Sequence, residues 1–370
     1  MTTHRADSAP TLHALSTPAL LVDLDRLERN LTLGQAVMDE ARVAFRPHVK
    51  THKVPDLAFR QLKAGACGIA VAKTSEAELF AAAGCTDVAV AYPVVGEDKW
   101  RRLARLSRSV EVTVNVESEA AVLGLGAAAA GEGGTLHVQI EVDSGLGRSG
   151  IPVGDLRAVE ALARLIEKTP GLIFDGITTH RGVSFAGAAE IGAEEAGRAE
   201  ASMLVSLAGA LEGSGLACRQ VTAGSTATCR GVASVEGVTE VRAGAYLFNG
   251  GAQLDWGVAT LEDVALSVLC TVVSTQHEGS ATIDGGSKTF ATSCAAPAAR
   301  CASIDAEIDR MNEEHGMLRL GKGVSLKVGD RLALIPYNVS STVALADELI
   351  GVRDGAVEMI WPVAARGCRT

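Results

Sequence analysis

A chain of 370 residues, 47% hydrophobic and 21% charged, is globular and has room for one large domain plus a smaller one, which excludes the disordered and fibrous classes. Its formal net charge of -10 and pI near 5.4, with Lys and Arg dispersed along the chain, exclude a nucleic-acid backbone or an anionic membrane as the expected partner and point to a small molecule. The eight cysteines (67, 85, 218, 229, 270, 294, 301 and 368) form no C-x-x-C pair and read as reduced thiols of a cytoplasmic protein. The first ten residues lack the apolar core of a signal peptide, and no run approaches the roughly 18 to 20 apolar residues of a membrane span.

After a polar leader, Pro18 to Asp23 reads as a short buried strand and Leu24 to Ala41 has helical spacing. An alternation then sets in. Strands are expected at 43–51, 68–73, 87–94, 110–116, 136–143, 172–180, 219–224 and 239–248, separated by amphipathic segments such as 75–83, 99–107, 156–168 and 188–213. Eight βα steps close a (β/α)8 TIM-type barrel, and strands nearly continuous in Val, Ala and Ile suit parallel strands covered on both faces. A doubly wound open sheet is the alternative, but it usually needs fewer strands. The barrel is therefore expected over 15–257. The polar residues at C-terminal strand ends line the site of such a barrel, which singles out Lys50, Lys73, Arg148, His180, Gly224 to Thr226 and Arg242 to Tyr246. From about residue 258 the texture turns to β-strand: 265–274, 281–286, 328–336, and a hairpin from Glu348 to Trp361 turning at Asp354-Gly355. Residues 258–370, with 1–14 packed on them, are expected as a β-rich C-terminal domain in which 295–323 is a long loop or lid.

The stretch Phe45-Arg46-Pro47-His48-Val49-Lys50-Thr51-His52-Lys53 is the most unusual in the chain. Read as a strand, it puts Arg46, His48, Lys50 and His52 on one face. That row suits a solvated cationic edge. In a barrel mouth it suits a different role: a lysine partly desolvated and flanked by imidazoles loses basicity and becomes a nucleophile able to form a Schiff base with an aldehyde.

With these motifs stand Glu141-Val142-Asp143-Ser144-Gly145-Leu146-Gly147-Arg148-Ser149-Gly150, Gly224-Ser225-Thr226, Glu240-Val241-Arg242-Ala243-Gly244-Ala245-Tyr246, Asp284-Gly285-Gly286-Ser287-Lys288 and Glu313-Glu314-His315-Gly316. In this order, over about residues 15 to 367, they resemble the D-threonine aldolase and D-serine dehydratase family, alanine-racemase-like enzymes of fold type III that use pyridoxal 5'-phosphate. The resemblance implies that Lys50 is the lysine that carries the cofactor, whose ring acts as an electron sink for a carbanion at Cα. His52 is then a candidate for proton transfer, or else a packing histidine. Gly224, Ser225 and Thr226 would cradle the phosphate, or form an ordinary turn. Arg242, Gly244 and Tyr246 match the segment supporting ring and phosphate, and Arg148 matches an arginine near the cofactor's phenolic oxygen. For either arginine a structural salt bridge is the alternative. The fold type also implies a two-fold homodimer.

One departure from the family pattern stands out. Metal-dependent members carry a His, and two residues on an Asp or Cys, shortly after a Pro of the C-terminal domain; here Pro336 is followed by Asn338 and Ser340. Amide and hydroxyl oxygens are weak ligands for zinc or manganese, so no divalent metal is expected. Asn338, Ser340 and His315 are instead candidates for substrate contact. The Tyr-x-Gly-His pattern common after the sixth strand reads His180-Arg181-Gly182-Val183, which makes His180 a candidate for acid–base work. The resemblance implies a pyridoxal-phosphate lyase of D-configured β-hydroxy amino acids, by aldol cleavage or dehydration; the alternative is an amino-acid racemase or epimerase.

Overall fold

The computed structural model describes residues 4–5, 11–184, 187–291 and 297–370. Two compact units divide the chain. One comprises Gln35–Lys50, Ala58–Gly244 and Cys368–Thr370, the other Met1–Gly34, Thr51–Leu57 and Ala245–Gly367.

The first unit is the expected barrel. Its strands are Ala44–Phe45, Ile69–Val71, Asp87–Pro93, Glu111–Val116, Leu136–Asp143, Leu172–Thr179, Gln220–Ala223 and Glu240–Val241. From the second to the eighth, each is paired in parallel with the next. The eighth returns to the first, with Glu240 opposite Ala44 and Val241 opposite Phe45. First and second meet through the His48–Ala70 bridge, where the Ala70 N–H donates to the Pro47 carbonyl at 2.8 Å. The ring is thus closed, and helices such as Thr74–Ala83, Glu97–Leu106, Glu119–Glu132 and Leu156–Lys168 fill the crossovers. The segment expected as one helix over 188–213 is two, Ala188–Ile191 and Ala193–Gly213, parted at Gly192, whose φ of 79° only glycine adopts at no cost.

The second unit contains a closed ring of six antiparallel strands in the order Leu266–Ser274, Ser280–Ile283, Gly316–Leu320, Ala306–Met311, Ala299–Cys301 and Arg331–Pro336, the last pairing back to the first. Its core holds Trp361, Phe290, Phe248, Val268 and Leu334, all essentially without exposure. Three of these strands fall within 297–323, so the described part of the expected loop or lid is ordered sheet; residues 295 and 296 lie outside the described residues.

The strand Ala19–Asp23, which falls within the range 15–257 expected for the barrel, pairs instead with Leu266–Ser274 and Glu348–Arg353. The division at 257/258 read from the sequence accordingly differs from that of the compact units, because strand periodicity identifies a buried strand without saying which sheet receives it. The hairpin at Asp354-Gly355 forms as expected, with positive φ at both residues (49° and 77°).

Candidate active site

Lys50 stands where the first barrel strand gives way to a turn. The strand proper stops at Phe45, and Val49–Thr51 is a 3-10 helix, so the row of four basic side chains on one strand face does not form. A turn of three residues abolishes the period of two on which that reading rests. Arg46 and His48 are buried, Lys50 is exposed, and His52 belongs to the other unit. The Lys50 N–H donates to His48 Nδ1 at 3.3 Å, which ties the lysine's backbone to the barrel strand.

At the same end of the barrel His180 follows the sixth strand. Desolvation lowers its imidazole to about 4; the positive charges of Lys50, Arg148 and Arg242 push the same way, and a hydrogen bond with the Gly224 backbone opposes them. Lys50, Arg148 and Arg242, which follow the first, fifth and eighth strands, thus each disfavour a charge on the histidine beside the Gly224 turn. Gly224 has φ 99°, a conformation that favours glycine. The turn it opens is preformed: the Ser225 N–H donates to Thr228 Oγ1 at 3.0 Å, and the two hydroxyls lie 3.0 Å apart.

Arg148 is exposed rather than buried, and its guanidinium is 3.8 Å from Glu141. The loop that presents it is shaped by Asp143, whose Oδ1 accepts from the N–H groups of Gly145, Leu146 and Gly147 at 2.9, 2.8 and 3.1 Å. Burial raises the Asp143 carboxyl, but these bonds and Arg148 outweigh it and the net shift is downward. Lys73 lies at the end of the second strand with its Nζ 3.7 Å from the centroid of the Tyr92 ring.

Beneath these residues the barrel interior is polar. Arg46 Nε donates to Glu240 Oε2 at 2.7 Å, and its two terminal nitrogens bind Asp87 at 2.5 and 3.1 Å. Arg242 reaches Glu240 at 3.4 Å and Gln139; Asn115 and Ser149 both donate to Glu141, at 3.1 and 2.5 Å. Bonds between strands that are not neighbours can only cross the interior. The interior is legible in part: within Thr113-Val114-Asn115 and Gln139-Ile140-Glu141 polar residues alternate with apolar ones, a signal that a reading of continuous apolar strands passes over. One acceptor, Asn115 Oδ1, is buried without a partner among the described residues.

The remaining candidates lie in the second unit. His52 is fully buried and its Nδ1 accepts from the Val54 N–H at 3.0 Å, just before helix Pro55–Ala64. The Tyr246 ring covers Gly34, where a Cβ would collide with it. Asn338 is the N-cap of the short helix Val339–Val343, its side chain accepting from the Ser341 N–H at 3.0 Å, and Ser340 Oγ donates to Thr51 Oγ1 at 3.1 Å. His315 is exposed in the turn 312–315, which docks on Gly286 through Ser287 N–H to Asn312 O at 2.8 Å. Among the described residues no group of three or more His, Cys, Asp or Glu could hold a metal ion. An amide committed to capping and a hydroxyl committed to Thr51 do not fit a divalent-metal site.

An anionic aldehyde cofactor does fit the barrel end: cations follow the strands there, a lysine is exposed, and a glycine turn stands at the same end. A barrel of this kind joined to an antiparallel β unit is the architecture of the alanine-racemase-like class. Residues 22–251 match the family model described as alanine racemase, N-terminal domain, and residues 265–352 match the putative serine dehydratase domain. The D-threonine aldolase of Arthrobacter sp is 36% identical over 366 residues, covering 98% of this chain and 96% of that protein. The D-threo-3-hydroxyaspartate dehydratase of Delftia sp. is 38% identical over 281 residues, 75% of this chain and 73% of that one. The crystal structure of D-threonine aldolase from Filomicrobium marinum superposes with a TM-score of 0.89 at 28% identity, covering 99% of this chain and 100% of the other. The chain belongs to the D-threonine aldolase and D-serine dehydratase family, whose members depend on pyridoxal phosphate.

Proposed function

We propose that this protein is a pyridoxal-phosphate-dependent lyase of D-configured β-hydroxy amino acids, acting by aldol cleavage or dehydration. The observation that carries the reading is that Lys50, Arg148 and Arg242 follow C-terminal ends of barrel strands at the same end as His180 and the preformed Gly224 turn, which suits a doubly negative cofactor and a substrate carboxylate. Lys50 would hold the cofactor covalently, the Gly224-Ser225-Thr226 turn its phosphate, and Arg148 its phenolic oxygen, with Arg242 and Gly244 in the supporting strand end. When bound, the cofactor supplies an electron sink for the charge left at Cα as a bond there breaks.

The chain's own residues handle binding and protons. Because burial keeps the His180 imidazole neutral, its nitrogen can accept the proton of the substrate's β-hydroxyl in an aldol cleavage; in a dehydration that hydroxyl departs and needs a proton donor, which a neutral His180 does not supply. The Lys50 amine would be a second base at the same end of the barrel when it is not joined to the cofactor. With His180 taking the β-hydroxyl, no divalent cation is assigned to the reaction, in keeping with Asn338 and Ser340 at the ligand positions. A racemase reading has less support, since the named relatives that span most of the chain are an aldolase and a dehydratase.

The test is incubation of purified protein with D- and L-threonine, serine, alanine and D-threo-3-hydroxyaspartate. Aldehyde plus glycine identifies an aldolase and ketoacid a dehydratase. A changed enantiomer ratio with neither product would replace this reading with the racemase. We further propose a two-fold homodimer, contradicted by a monomer in light scattering, and a reducing, cytoplasmic location. The latter is supported by the cysteines, among which no disulfide forms within the described residues.

A further inference from the structure

Helix Ala193–Gly213 carries a carboxylate to which the reaction above gives no role. Glu200 is fully buried and makes no ion pair within salt-bridge distance among those described. One oxygen accepts from the Arg181 N–H at 2.7 Å, and the Gly182 backbone adds a further hydrogen bond. The other oxygen accepts from Thr228 Oγ1 at 3.5 Å, and Thr228 is the residue that holds Ser225 by both amide and hydroxyl. The carboxylate therefore spans two loops, the one after the sixth barrel strand, which begins with His180, and the one after the seventh, which begins with Gly224.

The helix is brought close enough for this by two glycines. A Cβ on Gly197, about one turn before Glu200, would collide with the Thr228 carbonyl oxygen, and one on Gly231 with the carbonyl oxygen of Glu194. The loops also meet directly: a Cβ on Gly182 would lie 3.5 Å from Ser225 Oγ and 3.9 Å from His180 Cε1. The groups that face Glu200 are the Arg181 guanidinium and backbone and the Gly182 N–H from one loop, and the Thr228 hydroxyl from the other. Burial pushes its carboxyl up to about 7 against these interactions. A neutral acceptor would fill the space at a lower desolvation cost.

We propose that Glu200 is a positioning residue that locks the His180–Gly182 loop to the Gly224–Thr228 loop, fixing the histidine and the phosphate turn in one geometry. The inference rests on the cofactor site proposed above. Its first readout is independent of that site: amide hydrogen exchange of 180–184 and 224–229 in wild type, Glu200→Ala and Glu200→Gln. Loss of the hydrogen bonds to Arg181, Gly182 and Thr228 predicts exchange at least about tenfold faster in both loops of the alanine variant, with the other barrel segments unchanged. The glutamine variant keeps an acceptor for the Arg181 N–H and should fall between wild type and alanine. The second readout is retention of pyridoxal phosphate on dilution of the holoprotein, expected to shorten in the same order.

Exchange unchanged in either loop, or raised evenly across the barrel, would overturn the proposal. A wild type that retains no pyridoxal phosphate would overturn the cofactor reading while the exchange result still decides the clamp. Should Glu200→Ala not fold, Thr228→Val carries the test at 180–184, which Thr228 reaches through Glu200: faster exchange there supports the clamp, and unchanged exchange overturns it.

Discussion

Replacing Arg46 by methionine tests whether the polar barrel interior is held by its ion pairs. Arg46 and Glu240 are almost fully buried and 2.7 Å apart, while Asp87, the second partner, is about a quarter exposed. Removing one member of a buried pair typically costs about 3–5 kcal/mol, because the remaining charge is left without its partner. Glu240 would retain Arg242 at 3.4 Å, and the Asp87 contribution is discounted by solvent, so the lower end applies, about 3 kcal/mol. At about 2–4 °C per kcal/mol for a domain of this size, the thermal midpoint should fall by about 6–12 °C. The assay is thermal and urea unfolding followed by circular dichroism, with Glu240→Gln and the double variant completing a cycle. The double variant should cost less than the sum of the singles by about 1–2 kcal/mol.

The pH dependence gives a second reading of the same pair. Burial raises the Glu240 carboxyl, but Arg46 and Arg242 outweigh it and hold it below the ordinary value. A depressed carboxylate contributes stability that is complete above its unfolded pKa and lost as pH falls through the folded one. Without Arg46 the desolvation is less opposed, so the acid transition of the variant should begin at higher pH than that of the wild type. A cost under about 1 kcal/mol, or an additive cycle, would refute the reasoning.

Lys50→Ala should abolish the borohydride-reducible cofactor adduct, and a variant that keeps the same adduct would remove Lys50 from its assigned role. His180→Asn should lower the rate by about 10²–10⁴-fold. It should also flatten stability between the ordinary histidine pKa and about 4, because a depressed imidazole destabilises the fold progressively as pH falls through that window. His137 behaves in the opposite sense: its hydrogen bond to Asp175 at 2.7 Å raises it despite burial. Its contribution is complete below the ordinary histidine pKa and lost as pH rises through the folded value, so His137→Asn should show no such loss in midpoint against pH. Chelator treatment should leave wild-type activity unchanged, whereas Asn338→His with Ser340→Asp and added manganese should gain D-threonine cleavage; a metal-stimulated wild type contradicts the assignment.

How far the sequence could be read depended on whether local periodicity carried the information. Leu24–Ala41, Leu136–Asp143 and Leu156–Lys168 have the limits that apolar spacing predicts, and the count of eight strands required only that each be recognised. Helix Glu119–Glu132 carries a weaker signal, because its run of Ala, Gly, Val and Leu has no polar face, although Ser118 caps it. Lys50 was found by its neighbours, yet its geometry was not, since nothing in Phe45 to Lys53 signals that Val49 begins a 3-10 turn. Glu200 sits among other acidic residues on a helix, and only the docking of the 228–231 backbone on Gly197 reveals it as buried.

The change at Asn338 and Ser340 is easier to understand once their structural duties are separated from any catalytic one. Asparagine is among the best N-cap residues, worth about 0.5–2 kcal/mol over a residue that cannot cap, and here it accepts from the Ser341 amide in the first turn of Val339–Val343. Ser340 adds the hydrogen bond to Thr51. A histidine at 338 would give up the cap and would need a second strong donor at 340 before a cation could compensate it. The pair found in this chain therefore stabilises its own short helix without a metal, so the substitution falls on the chemistry rather than on the fold. On the proposed reading the β-hydroxyl of a substrate falls to a group elsewhere, for which His180, kept neutral by burial, is the candidate.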